Sequence, residues 1–250
     1  MTAALIEARD VGMRFPTGRV ALRGASLSVL PGELVVILGA NGCGKSTMLR
    51  CIAGLLRPTQ GHVSVAGQEI SQLAGAQLAR ARMALGMIFQ HAHLVRRRSV
   101  LANVMSGTLG RHPGLATALG WLPRCETSLA LECLEQVGLP ALAPQRAGTL
   151  SGGQAQRVSV ARALAQRPRA LLADEPVASL DPEAAEELMR LLRRVSREDG
   201  LAVLCVLHQP DLARRYADRV VGLRGGRVVF DEGPARIGER DVAGLYDAAA

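Results

Sequence analysis

The 250-residue sequence predicts an α/β fold: a mainly parallel sheet, an N-terminal antiparallel β part, and an inserted α-helical subdomain. Three observations predict it. The apolar run Leu34–Leu38 suits a strand covered on both faces, the usual condition of a parallel sheet, and further apolar strands are read at Leu85–Phe89, Ala170–Ala173 and Leu201–Leu207. A helical pattern over Pro182–Arg197 joins two of those runs, and β-α-β alternation implies a right-handed parallel connection. From His91 to Arg167 strand signals disappear and helical periodicity replaces them.

Residues 4–30 read as strands, with Leu5, Val11, Leu22, Leu27 and Val29 divided by turn signals at Pro16-Thr17-Gly18 and Pro31-Gly32. Phe15, just before the second strand, reads as a stacking platform for adenine or as an edge-strand side chain; the residues alone leave both open. The strand Leu34–Leu38 then runs into Gly39-Ala40-Asn41-Gly42-Cys43-Gly44, and Lys45-Ser46-Thr47 opens a helix reaching Leu55. This is a G-x-x-x-x-G-K-[ST] phosphate loop in its strand–loop–helix context. Glycines fold the backbone so that N–H groups point inward, and an anion rests on them and on the helix N-terminus. Lys45 is expected to reach the β- and γ-phosphates of ATP, and the Ser46 hydroxyl to ligate Mg²⁺.

Lys45 is the one lysine among 30 basic residues; every other is arginine. A compact ammonium fits between phosphates inside a backbone loop where a planar guanidinium does not. Cys43, inside the same loop, is expected to be a reactive thiolate, favoured by the amides, Lys45 and the helix N-terminus.

Beyond the loop, His62–Ala66 alternates as a strand, Ser71–Met83 is a helix-prone connector, and Leu85–Phe89 is a short strand ending at Gln90. Helices are predicted at Val100–Leu109, Ser128–Val137 and Gly153–Ala165, with Gly107–Pro123 as loops or short helices. Gly225-Gly226 between Val220–Leu223 and Val228–Phe230 reads as a hairpin, and the tail beyond Gly233 as peripheral. The domain reading is a nucleotide-binding core in two parts, residues 1–90 and 168–250, around a helical subdomain over 91–167.

Four apolar strands finish at polar residues: the phosphate loop, Gln90, Asp174-Glu175 and His208. Ligands of open parallel sheets bind beyond the carboxyl ends of strands, so these ends form one site. Asp174 suits an acidic Mg²⁺ ligand, and Glu175 a base that polarises water for attack on the γ-phosphate. Gln90 can meet both metal and water through its amide oxygen, and His208 can bond the γ-phosphate or order the water. Leu150-Ser151-Gly152-Gly153-Gln154 is a second anion-binding turn before a helix, redundant in one molecule but useful against nucleotide held by a second copy.

The chain is long enough for one sizeable α/β domain with a smaller insertion. No apolar run of membrane-spanning length and no leader pattern is seen, so cytosolic residence is expected. Five scattered cysteines without a C-x-x-C pair argue against zinc or disulfide frameworks. The net charge of +8 is compatible with nucleic acid, anionic lipid or simply nucleotide.

With Gly39–Thr47, Gln90, Leu150–Gln154, Leu172–Pro176, Ser179-Leu180-Asp181 and His208 in this order, the chain resembles an ABC-transporter ATPase subunit over nearly its whole length. The resemblance implies a P-loop NTPase (RecA-like) core and a head-to-tail dimer that sandwiches two ATP molecules between each phosphate loop and the opposite signature, Ser151, Gly152, Gly153 and Gln154. It assigns Phe15 to adenine, Glu175 to the general base, Asp181 to a cross-dimer contact and the Gln90 region to a membrane permease. It also implies a peripheral position on the cytoplasmic face of the inner membrane, an indirect link to a periplasmic solute-binding protein, and no nucleic-acid partner. Asp174–Pro182, Leu207-His208-Gln209 and Tyr216-Ala217-Asp218-Arg219 are similar to the phosphonate-importer branch, whereas His91-Ala92-His93-Leu94 and Pro210 depart from it.

Overall fold

The computed structural model describes residues 3–112, 114 and 122–246. Among these residues, ten strands form two sheets. Strands β1 (Ile6–Arg14), β2 (Val20–Val29), β4 (Gln60–Val65) and β5 (Gln68–Glu69) make an antiparallel sheet in the order β2-β1-β4-β5. Strands β3 (Leu34–Leu38), β6 (Leu85–Ile88), β7 (Ala170–Asp174), β8 (Ala202–Val206), β9 (Arg219–Arg224) and β10 (Arg227–Glu232) make the second, ordered β10-β9-β3-β8-β7-β6. Its pairs are parallel except the β9–β10 hairpin.

The uninterrupted apolar runs divide between two cores by the two-residue period of a strand. In β3, Leu34, Val36 and Leu38 face a helical core, while Val35 and Ile37 face a core shared with the antiparallel sheet. Strands β7 and β8 split the same way, with Leu171 and Val203 on one side and Leu172 and Leu204 on the other. Each such buried aliphatic side chain contributes roughly 1.5–3 kcal/mol, which pins the strand ends that carry the polar residues.

The helices are α1 (Lys45–Ile52), α2 (Gly75–Arg82), α3 (Val100–Met105), α4 (Arg124–Gln136), α5 (Gly152–Ala165), α6 (Pro182–Asp199), α7 (Pro210–Tyr216) and α8 (Glu239–Tyr246). Helices α3, α4 and α5 pack on one another through buried Val100, Val104, Ala130, Leu134, Val158 and Ala161. No helix among the described residues is long and apolar enough to cross a membrane.

Several boundaries differ from the expectation, each for a local reason. Helix α1 stops at Ile52, since Gly54 turns left-handed at φ +65°. Helix α3 ends at Met105 and tightens into a 3₁₀ turn over Ser106–Arg111, where Gly107 and Gly110 are poor helix formers. The expected Ser128 start moves back to Arg124, directly after Pro123. The reading of Gly107–Pro123 falls in part on residues 113 and 115–121, outside the described residues. Phe15 lies in a turn after β1, half-buried against the core between the sheets, and not on an edge strand.

The tail beyond Gly233 is not peripheral. Ile237 and Leu245 are buried in the helical core, and Arg224 Nη1 donates to the Gly244 carbonyl at 3.0 Å. Its apolar residues span too few turns to show a period in the sequence.

Candidate active site

Strand β3 delivers the chain into the glycine-rich loop through two backbone positions closed to side chains. A Cβ at Gly39 would lie 2.2 Å from the Leu223 carbonyl oxygen, and one at Gly44 2.5 Å from that of Ala21. Gly44 also takes φ +116°, a region other residues rarely adopt. The β9–β10 turn braces the loop, with Gly226 N donating to Cys43 O at 2.9 Å. Lys45 is buried, and its Nζ donates to the carbonyls of Gly39 (2.8 Å) and Ala40 (3.1 Å), so the ammonium is held within the loop. Asn41 and Gly42 are exposed on the loop's open side, and Ser46 and Thr47 half-buried at the start of α1.

Cys43 overturns one expectation. It is buried, and burial raises its pKa above the usual thiol value more than Lys45 and the neighbouring amides lower it. Desolvation of the charged form outweighs the positive surroundings, so Cys43 is a thiol near neutral pH. Cys125 is the exposed cysteine.

The strand ends meet beside the loop. Ser46 Oγ donates to Asp174 Oδ1 at 3.0 Å, although 128 positions separate them. Burial raises the Asp174 pKa, the Ser46 hydrogen bond opposes the rise and Glu175 adds to it. A desolvated carboxylate touching a hydroxyl is a hard-oxygen donor pair that suits a small divalent cation such as Mg²⁺. Glu175 sits at φ +52°, a strained position for a non-glycine residue, and its Oε1 is 2.6 Å from His208 Nε2. Gln90 is exposed two residues beyond β6.

Two anchors of the Gln90 segment escaped the sequence reading. Gln156 Nε2 donates to Phe89 O at 2.7 Å, and Arg162 donates to the carbonyls of Ala92 (2.7 Å) and His93 (2.9 Å). The available signal was a polar Gln156 on the face that α5 turns to the core, where it is 2 % exposed.

The second serine/glycine turn lies elsewhere. Ser151 caps α5 reciprocally: Gln154 N donates to Ser151 Oγ at 3.3 Å, and Ser151 N donates to Gln154 Oε1 at 3.0 Å. Ser151, Gly152, Gly153 and Gln154 line a groove of about 350 Å³ with Ser179, Leu180 and Asp181, and none of Gly39–Thr47 lines it. Asp181 caps α6, its Oδ1 accepting from Ala184 N at 2.9 Å. The fold thus gathers Lys45, Ser46, Asp174, Glu175 and His208 in one place and puts the signature turn with Asp181 in another.

Comparison with known proteins shows similarity over most of the chain. The family model described as ABC transporter matches residues 22–178. A phosphonates import ATP-binding protein of Nostoc is 46 % identical, covering 98 % of this chain and 93 % of that protein. Its counterpart in Frankia casuarinae is 51 % identical over 92 % of this chain and 91 % of its own. Among solved structures, the ATP-binding cassette MJ0796, a dimer bound to ADP and Pi in a post-hydrolysis state, superposes with a TM-score of 0.79 at 33 % identity, covering 92 % of this chain and 98 % of that one.

Proposed function

This chain belongs to the ABC transporter family as its ATP-hydrolysing subunit, and from that premise we propose that it powers a phosphonate importer as a head-to-tail dimer. The observation that carries the reading is the separation of the two anion-binding turns. A phosphate loop with carboxylates and histidine beside it forms half a site, and the groove of Ser151–Gln154 and Asp181 forms the half that a second copy would offer. The relatives' printed names support phosphonate as the cargo.

In this reading ATP lies on the Gly39–Thr47 loop with adenine against Phe15. Lys45 exchanges the Gly39 and Ala40 carbonyls for the β- and γ-phosphate oxygens. Ser46, Asp174 and Gln90 would hold Mg²⁺, which when bound supplies charge stabilisation to those oxygens. Glu175 takes the proton of the attacking water, and His208, already hydrogen-bonded to Glu175, orders that water or turns to the γ-phosphate. Residues 1–90 and 168–250 act as the nucleotide-binding core and 91–167 as the helical subdomain that carries the signature turn.

The permease would seat in a groove of about 550 Å³ at the junction of these parts, lined by Leu55, Met87, Phe89, His93, Gly107 and Ala163. Leu55 is 50 % exposed and Phe89 37 %, so an apolar partner surface has contacts to gain there. That seat puts the subunit at the cytoplasmic face of the inner membrane, with a periplasmic solute-binding protein acting through the permease.

The test is reconstitution in liposomes with the permease and binding protein from neighbouring reading frames. ATP hydrolysis should rise when the binding protein is loaded with an alkylphosphonate. Equal stimulation by phosphate or phosphite would overturn the cargo assignment, and no ATPase response to any solute would overturn the importer reading.

A further inference from the structure

Helix α8 returns the end of the described chain to the carboxyl edge of the parallel sheet. Asp241 Oδ2 accepts from Gly238 N at 2.8 Å at the start of this helix, Leu245 is buried, and Arg224 holds the Gly244 carbonyl. These contacts seat Tyr246, whose hydroxyl donates to the main-chain carbonyl of His208 at 3.3 Å. Burial raises its pKa above the ordinary tyrosine value and Cys43 adds to the rise, while the Gly39 amide lowers it, so the hydroxyl keeps its proton and can donate.

His208 needs such support. The main chain leaves the sheet just before it, Leu207 N donating to Ile37 O at 3.2 Å, and its ring is already engaged with Glu175. A ring that exchanges a carboxylate for water or phosphate needs a fixed pivot, or the whole loop moves instead. We propose that α8 is a positioning element for ATP hydrolysis, with Tyr246 clamping the His208 main chain. This rests on the role given to His208 above.

The test uses the full chain in the reconstituted transporter and compares Tyr246→Phe with wild type. The ring stays and one hydrogen bond is lost, so kcat should fall about fivefold while KM for ATP and the melting temperature hold. In a His208→Ala background, Tyr246→Phe should cost nothing further. Wild-type kcat in Tyr246→Phe overturns the proposal, and so does an undiminished additional loss in the His208→Ala background. Should Tyr246→Phe melt early, the double-mutant comparison decides on its own. Full turnover in His208→Ala alone would remove the role of His208 itself, an outcome distinct from a failure of the Tyr246 clamp.

Discussion

Glu175 occupies a left-handed backbone position that costs on the order of 1–3 kcal/mol and is hydrogen-bonded to His208. Its neighbour Asp174 is held half out of water against Ser46. These two carboxylates carry different consequences. Glu175→Gln should retain ATP binding and lose about 10²–10⁴-fold in turnover, the usual contribution of a general base, and should accumulate as an ATP-bound dimer. Turnover at the wild-type rate with permease present would remove Glu175 from that role. Asp174→Asn bears on stability as well. The folded-state pKa of Asp174 is raised, so its ionised form opposes folding at neutral pH, and that cost lessens as pH falls through the folded pKa. The asparagine variant should therefore melt no lower than wild type without nucleotide or metal at pH 7, while losing hydrolysis. The melting difference should narrow on acidification. A lower melting temperature for the variant at pH 7 would show that Asp174 contributes net stability.

At the scale of elements, α5 has two duties at one end. Its capping box satisfies orphan N–H groups, and the same serine and glycines face the groove with Asp181. Two substitutions separate the duties. Ser151→Ala and Ser151→Arg should each lose about 1 kcal/mol of stability with the cap. Only the arginine should block dimer closure, since its bulk fills the groove. Nucleotide binding by the monomer, followed with a fluorescent ATP analogue, should be unchanged in both. A parallel loss of monomer affinity in Ser151→Arg would mean that the turn acts on nucleotide bound to its own chain.

Across the whole molecule, Gln156 and Arg162 tie α5 to the Phe89–His93 segment, so the signature turn and one wall of the proposed permease groove belong to one mechanical unit. Gln156→Ala would strip a donor from the part-buried Phe89 carbonyl, a loss worth about 0.5–1.5 kcal/mol. We expect the variant to keep basal hydrolysis and to lose most of its stimulation by permease and loaded binding protein. An equal drop in basal and stimulated rates would place the effect in the ATPase site and not in coupling.

Local chemistry was legible from the sequence wherever neighbours along the chain decide the outcome. Gly39–Thr47 between an apolar strand and a helix forms a tight loop because its glycines take backbone positions that side chains cannot. The run of β3 announced a strand buried on both faces, and polar residues at the ends of the apolar strands announced a shared edge. Ser151–Gln154 announced a helix start by capping chemistry that spans three residues. Tertiary structure decided what depends on distant neighbours. It brought Ser46 to Asp174 and Glu175 to His208, desolvated Cys43 so that its thiol is not the expected thiolate, and folded Tyr246 back onto His208. Backbone conformation is set within a few residues, whereas desolvation and hydrogen-bond partnership are set by what packs against a side chain, and one-dimensional spacing does not carry that information.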